Sequence, residues 1–164
     1  MDTVPSLFIE SVCLRLMLMD RPSLLESTWI PYRWGEICSS IRKKMHTLRV
    51  LLDGEKKKIY AAAYPLYYNT YSNVTSLDSV DPKFITNFRI ETATPYEEQD
   101  LPGSYKEITL DDLQRLLHFI RLAMNEQYDS DSINVLNLGR KSEWINEKLL
   151  SMQLPFDLAI TDVQ

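Results

Sequence analysis

Catalysis needs groups that can exchange protons or attack a substrate, held within reach of one another. The candidates in this chain are few. It carries two histidines in unlike settings. His46 closes a basic run from Arg42, and His118 sits between Leu117 and Phe119 on an apolar stretch with no Asp, Cys or second His in register. Neighbouring acids occur as Glu97-Glu98 and Asp111-Asp112. The first pair falls in a Pro-containing loop. The second follows Thr109, where a helix start favours negative charge. Gly139-Arg140-Lys141-Ser142 follows a strand-like run and opens a helix-like one, a setting that suits a phosphate. A phosphate-binding loop needs a second glycine at fixed spacing, and this stretch has one. Cys13 and Cys38 are flanked by apolar residues. They are expected to be buried as small hydrophobes, without a disulfide, as suits a reducing compartment. No catalytic, cofactor or metal constellation emerges, and the chain reads as a non-enzyme.

Composition narrows the partners. The 164 residues are 45% hydrophobic and 25% charged, with a net charge of −5. Such a chain can bury a core. Its overall sign gives no bulk attraction to nucleic acid or to an anionic bilayer. The charge is uneven: from Arg33 to Lys58 there are eight Lys and Arg against three Asp and Glu, and from Glu91 to Asp131 three against ten. Tyr64, Tyr67, Tyr68 and Tyr71 follow the basic part. Aromatics beside cations can stack nucleobases, but no RNA-binding signature accompanies them, so packing under a loop is the expected role. No apolar run is long enough for a membrane span, and the N-terminus lacks the features of a signal peptide. A cytoplasmic or nuclear protein is expected.

The organising stretch is therefore apolar. Val4-Pro5 opens it, with Pro tolerated in a first helical turn. Phe8, Val12, Leu16 and Met19 follow at helical spacing, and Leu7, Ile9 and Cys13 widen the stripe. Asp20-Arg21-Pro22 breaks the helix. Leu24 and Leu25 start a second short segment. After Pro31, Trp34, Ile37 and Ile41 define a third helical face. Three helices this short are marginal alone. They carry more Leu, Met and Ile than they need for one another, which is what a partner-binding module would show. Met17, Met19 and Met45 suit an adaptable apolar surface.

This stretch resembles a divergent F-box. The residues that carry the likeness are Val4-Pro5 for the leading Leu-Pro, Val12, Leu14 and Leu16 in the first helix, Asp20 with the paired Leu24 and Leu25, and the closing Arg33-Trp34. The opening Met1-Asp2-Thr3-Val4-Pro5 is also similar to the starts of lineage-expanded F-box-like proteins of nematodes. Ile30-Pro31-Tyr32 departs from the family pattern before the basic residue. The resemblance implies a non-catalytic adaptor that docks on an SKP-type subunit of a cullin ubiquitin ligase. Its partner-binding residues would be Val4, Pro5, Leu7, Phe8, Leu14, Leu16, Leu24, Leu25, Arg33 and Trp34.

Downstream, Leu48–Leu52 and Ile59–Tyr64 read as strands around Asp53-Gly54, a tight-turn signal. Lys56-Lys57-Lys58 would keep the second strand soluble and discourage edge pairing. Phe84–Thr92 alternates and reads as a half-buried third strand. Thr94–Ser104 reads as a loop or hinge. Thr109 caps a helix whose stripe is Leu110, Leu113, Leu117, Ile120 and Met124. Ile133–Leu138, a helix capped by Ser142 with Trp144, Ile145 and Leu149 inward, and Leu158–Ile160 form a βαβ unit. Val135-Leu136-Asn137-Leu138 resembles the strand of a leucine-rich repeat. One or two repeats cannot stand alone, so the preceding sheet or the helices must cover an open end. The expected class is α+β, with a small helical module over residues 1–46 and, over 47–164, a hairpin-based sheet followed by an α-β-α-β part that recognises a target. The alternative is a single-domain interaction or scaffold protein unrelated to ubiquitin, in which the helices complete one core.

Overall fold

The computed structural model describes residues 4–19, 21–66, 74–120, 134–139, 142–151 and 159–161. The class is mixed α and β. Three helices come first: α1 (Ser6–Met19), α2 (Arg21–Ser27) and α3 (Arg33–Lys43). They are followed by β1 (His46–Asp53), β2 (Lys58–Pro65), β3 (Ile85–Thr92), α4 (Pro95–Gln99), β4 (Lys106–Ile108), α5 (Leu110–Phe119), β5 (Val135–Asn137), α6 (Glu143–Ser151) and β6 (Ala159–Thr161). The six strands form one sheet in the order β4-β2-β1-β3-β5-β6.

The hairpin forms where Asp-Gly signals it. Asp53 Oδ1 accepts the backbone N–H of Glu55 and of Lys56, folding the turn on itself. The other carboxylate oxygen is buried with the Lys56 ammonium 3.5 Å away, an ion pair that offsets burial of the charge. β1 and β2 pair antiparallel from His46–Pro65 to Asp53–Lys58. β3 lies on the other side of β1 and runs parallel to it. β5 and β6 continue the parallel set, so the βαβ unit is present and β3 covers its open side. Below β5, the buried Asn134 carboxamide oxygen accepts the Phe88 N–H and extends that ladder by one bond.

Strand alternation sorts the sheet faces. Leu48, Val50 and Leu52 share a face with Phe88, Ile90, Ile59 and Ala61. Leu113 of α5 and Ile145 of α6 complete that core. Two capping residues hold the helices in place. Thr109 and Asp112 exchange bonds at the start of α5, and the Ser142 hydroxyl accepts from the Ile145 N–H.

A second cluster joins the three N-terminal helices. Ile9, Cys13 and Met17 of α1 meet Leu24 of α2 and Cys38 and Ile41 of α3, with Met45 below. Leu66, just after β2, and Phe84, just before β3, pack against it. The helices thus sit where β1 and β3 begin and β2 ends.

Several expectations are corrected. The inward stripe of α1 is Ile9, Cys13 and Met17, one position off the Phe8–Val12–Leu16 line. Met17 and Met45 are core residues and offer no surface. Cys13 and Cys38 are buried as expected, but they are paired as a disulfide across α1 and α3, with Cα atoms 5.7 Å apart. The cysteines therefore lend no support to a reducing compartment. β3 is half-buried only in its later part: Ile85 to Phe88 are buried on both faces, and Asn87 is satisfied by the Thr47 hydroxyl. The stretch read as a hinge holds α4, and β4 covers part of the β2 edge that the lysines were expected to guard. Tyr67, Tyr68, Tyr71, Met124, Arg140 and Lys141 lie outside the described residues.

Candidate interaction surface

The helical cluster satisfies its own core and still shows large apolar side chains. Leu7 is 76% exposed, Phe8 56% and Leu25 38%. Pro5 and Arg33 are exposed, while Val4, Leu14, Leu16 and Trp34 are half-buried against the cluster. Leu24 is fully enclosed and belongs to the core. The structure therefore divides the ten residues read from the sequence. Leu7, Phe8 and Leu25 project from the α1–α2 surface, and Trp34 closes the cluster with its Nε1 buried and unpartnered among the described residues.

A second exposed group was not singled out by the sequence reading beyond the Ile30-Pro31-Tyr32 departure. Trp29 is 81% exposed and Tyr32 79%, in the turn between α2 and α3. The turn has an identifiable cause. The Thr28 hydroxyl bonds back to Leu25 O and ends α2. Tyr32 then takes φ 67° and ψ −152°, a sparsely populated conformation for a residue with a side chain. Its carbonyl accepts from the Glu36 N–H as α3 begins. Gly35 makes this possible: a Cβ there would stand 2.2 Å from Ile30 O and 2.8 Å from Thr28 O. The backbone is held in a costly shape, and that shape points two aromatic rings outward. A Trp-Ile-Pro-Tyr run outside the helical periodicity, followed by a glycine early in a helix, is the signal that could have revealed it.

Hollows flank this turn. One of about 600 Å³ is lined by Trp29, Pro31, Tyr32 and the Glu36, Ser40 and Lys43 side of α3. A smaller one of about 270 Å³ is lined by Arg42, Met45, Pro65 and Leu66, and shares Thr28, Ser39 and Lys43 with the first.

The sheet carries a different polar cluster, on the face opposite the main core. Arg49 stands at its centre. Its Nε donates to Glu91 at 2.7 Å, one terminal nitrogen donates to the Tyr64 and Tyr105 hydroxyls at 3.1 and 2.8 Å, and the other donates to Glu97 at 2.9 Å. The two phenols also bond each other at 2.8 Å. Burial disfavours the Arg49 charge, but Glu91, with Tyr105 and the hydrogen bonds, outweighs it and raises the pKa. Burial and the Tyr64 hydrogen bond push the Tyr105 phenol up, so it stays protonated at neutral pH. The guanidinium is committed to four partners and has little left for an anion. This network clamps α4 and the approach to β4 onto the sheet. Tyr64, expected to pack under a loop, thus serves an internal hydrogen-bond network.

Other chemistry-bearing residues stay apart. His118 is exposed on α5. Asp111 and Asp112 lie in the first turn of α5, and Asp112 is part of its cap. Among the described residues, no group of three His, Cys, Asp or Glu side chains is placed to hold a metal, and no helix is long and apolar enough to cross a membrane. No protein-family model, curated protein or solved structure matches the chain.

Proposed function

We propose that the protein is a non-catalytic interaction adaptor, and that α1–α3 form an F-box-like module that docks on an SKP-type subunit of a cullin ubiquitin ligase. The observation that carries this reading is the exposed apolar group Leu7, Phe8 and Leu25, left over after Ile9, Cys13, Met17, Leu24 and Ile41 have filled the cluster. Singly exposed apolar residues are ordinary, but several on one short module favour an interface. Exposed leucine and phenylalanine side chains on short helices suit burial in a partner's groove. The sheet-based part, with its run of parallel strands, would then present the target-recognition surface in a leucine-rich-repeat-like manner. Affinity capture from cell extract tests the reading. The expected result is an SKP-type subunit recovered by the wild type and lost with Leu7→Asp combined with Phe8→Asp. Capture without any such subunit would remove the ligase assignment.

A second reading has its own support. Leu66 and Phe84 belong to strand-flanking segments yet pack into the helical cluster. That continuity favours a single-domain interaction or scaffold protein unrelated to ubiquitin. Limited proteolysis separates the two. Cleavage between α3 and β1, near the exposed Lys44, that releases a folded C-terminal fragment supports the modular reading, and uniform resistance supports the single core.

A further inference from the structure

We propose that Cys13 and Cys38 are a thiol–disulfide switch: oxidised, they lock α1 onto α3, and reduced, they let α1 lift from the cluster while the sheet stays folded. The switch sets where Leu7 and Phe8 stand, since α1 carries both. It does not depend on which partner meets them.

Three observations meet here. Among the described side chains of α1, the enclosed ones are Ile9, Cys13 and Met17, a single line one helical turn apart. Cys13 is the middle of that seam, and its bond to Cys38 ties α1 covalently to α3. The two helices are anchored unequally. α3 runs into β1, where the Met45 N–H donates to Arg42 O and the Leu66 N–H to Met45 O. Among the described residues, no backbone hydrogen bond joins α1 to another element.

Without the bond, α1 is attached by two enclosed apolar side chains and a small thiol. A helix of 14 residues is marginal in water by itself, and opening the cross-link returns chain freedom to its lifted state. The sheet keeps its own core, with Val50 and Ile90 under Leu113 and Ile145, and does not share the bond. A dithiol supplies the electrons. Its thiolate attacks one cysteine sulfur, the S–S bond breaks, and the departing sulfur takes up a proton. The second thiol of the reductant then displaces the other cysteine as a thiol and closes a cyclic disulfide, so two electrons and two protons pass to the protein. Both sulfurs are enclosed, so attack follows a local opening of α1.

The test uses the full chain in a series of reduced and oxidised dithiothreitol mixtures. Alkylation counts the thiols, and peptide-resolved amide exchange reads each element. On reduction two thiols should appear and exchange in α1 should rise at least about tenfold, while exchange in β1 and β3 stays within about twofold. Reoxidation should restore the starting pattern. Cys13→Ala combined with Cys38→Ala should behave as the reduced chain in every mixture, and where that variant does not fold the wild type decides. Unchanged exchange in α1 after two thiols have been counted would overturn the proposal. So would a bond that the native wild type keeps through prolonged dithiothreitol, or loss of protection in β1 and β3 together with α1 in the reduced wild type. Either of these would make the disulfide a fixed structural cross-link. No partner enters the measurement, which separates failure here from failure of the adaptor reading.

Discussion

The helical cluster and the sheet bury their apolar residues with different completeness. In the sheet, the facing rows Leu48–Phe88, Val50–Ile90 and Leu52–Ile59 are closed by Leu113 and Ile145, and the opposite face is held by Arg49. In the cluster, a smaller core is complete and Leu7, Phe8, Leu25, Trp29 and Tyr32 remain outside it. A sheet is covered by helices laid across it, so nearly every apolar side chain finds a neighbour. Three short helices meet along one seam, and among the described residues nothing covers Leu7, Phe8 and Leu25 on their outer faces. The larger enclosed core lies in the first region, and these exposed apolar side chains lie in the second.

The contrast can be broken most sharply by truncating one phenylalanine in each region. Phe88→Ala should cost about 3–5 kcal/mol in chemical denaturation, as for a fully enclosed aromatic side chain. Phe8→Ala should stay within about 0.5 kcal/mol, as expected for a surface site. Comparable losses at both positions would erase the distinction.

The disulfide is the next largest effect. Closing the 25-residue separation between Cys13 and Cys38 is worth about 3 kcal/mol on chain-entropy grounds. Reductant should lower the unfolding free energy by that amount, and thiol titration of the unreduced denatured protein should find no free thiol. Amide exchange should rise in α1 and α3 before it rises in β1 and β3. Two titratable thiols in unreduced protein would contradict the pairing.

Arg49→Ala strands two carboxylates and should cost about 2 kcal/mol, at the low end for a charge pair because the site is only partly enclosed. Exchange should speed up first at α4. The same network sets a pH effect. Burial opposes the Glu97 carboxylate, but the Thr94 N–H and hydroxyl together with Arg49 hold its pKa below the ordinary carboxylate value. A lowered folded-state pKa gives stability that is present above the unfolded value of about 4.3 and is lost as pH falls through the folded value. Protection of Pro95–Gln99 should therefore decline on acidification below about pH 4, and Glu97→Gln should remove most of that dependence. A profile unchanged in the variant would count against the clamp.

Local signals in the sequence were reliable where local chemistry decides. The Asp53 carboxylate fixes the hairpin turn by accepting the Glu55 and Lys56 N–H groups, Thr109 and Ser142 cap helices through neighbouring N–H groups, and the alternation of Phe84–Thr92 marks β3. Choices set by distant partners were not legible. α1 offers two adjacent apolar stripes, and only the position of α3 selects Ile9, Cys13 and Met17. The Cys13–Cys38 pairing follows from that choice. The Arg49 network joins residues from β1, β2, β3, α4 and the approach to β4, none of which carries a local mark. Of the residues expected to bind a partner, Leu7, Phe8 and Leu25 are exposed. Leu24 is enclosed, and paired leucines look alike until packing assigns one to each side. Trp29 escaped because it lies in a turn, where periodicity carries no information.

Titration of a purified SKP-type subunit into the full chain, beside the Leu7→Asp and Phe8→Asp double variant, tests the central claim most directly. The wild type should bind saturably, and the double variant, with an unchanged denaturation midpoint, should bind at least about 100-fold more weakly, as for the loss of central apolar anchors. No binding by the wild type, or equal binding by the variant, would contradict the account.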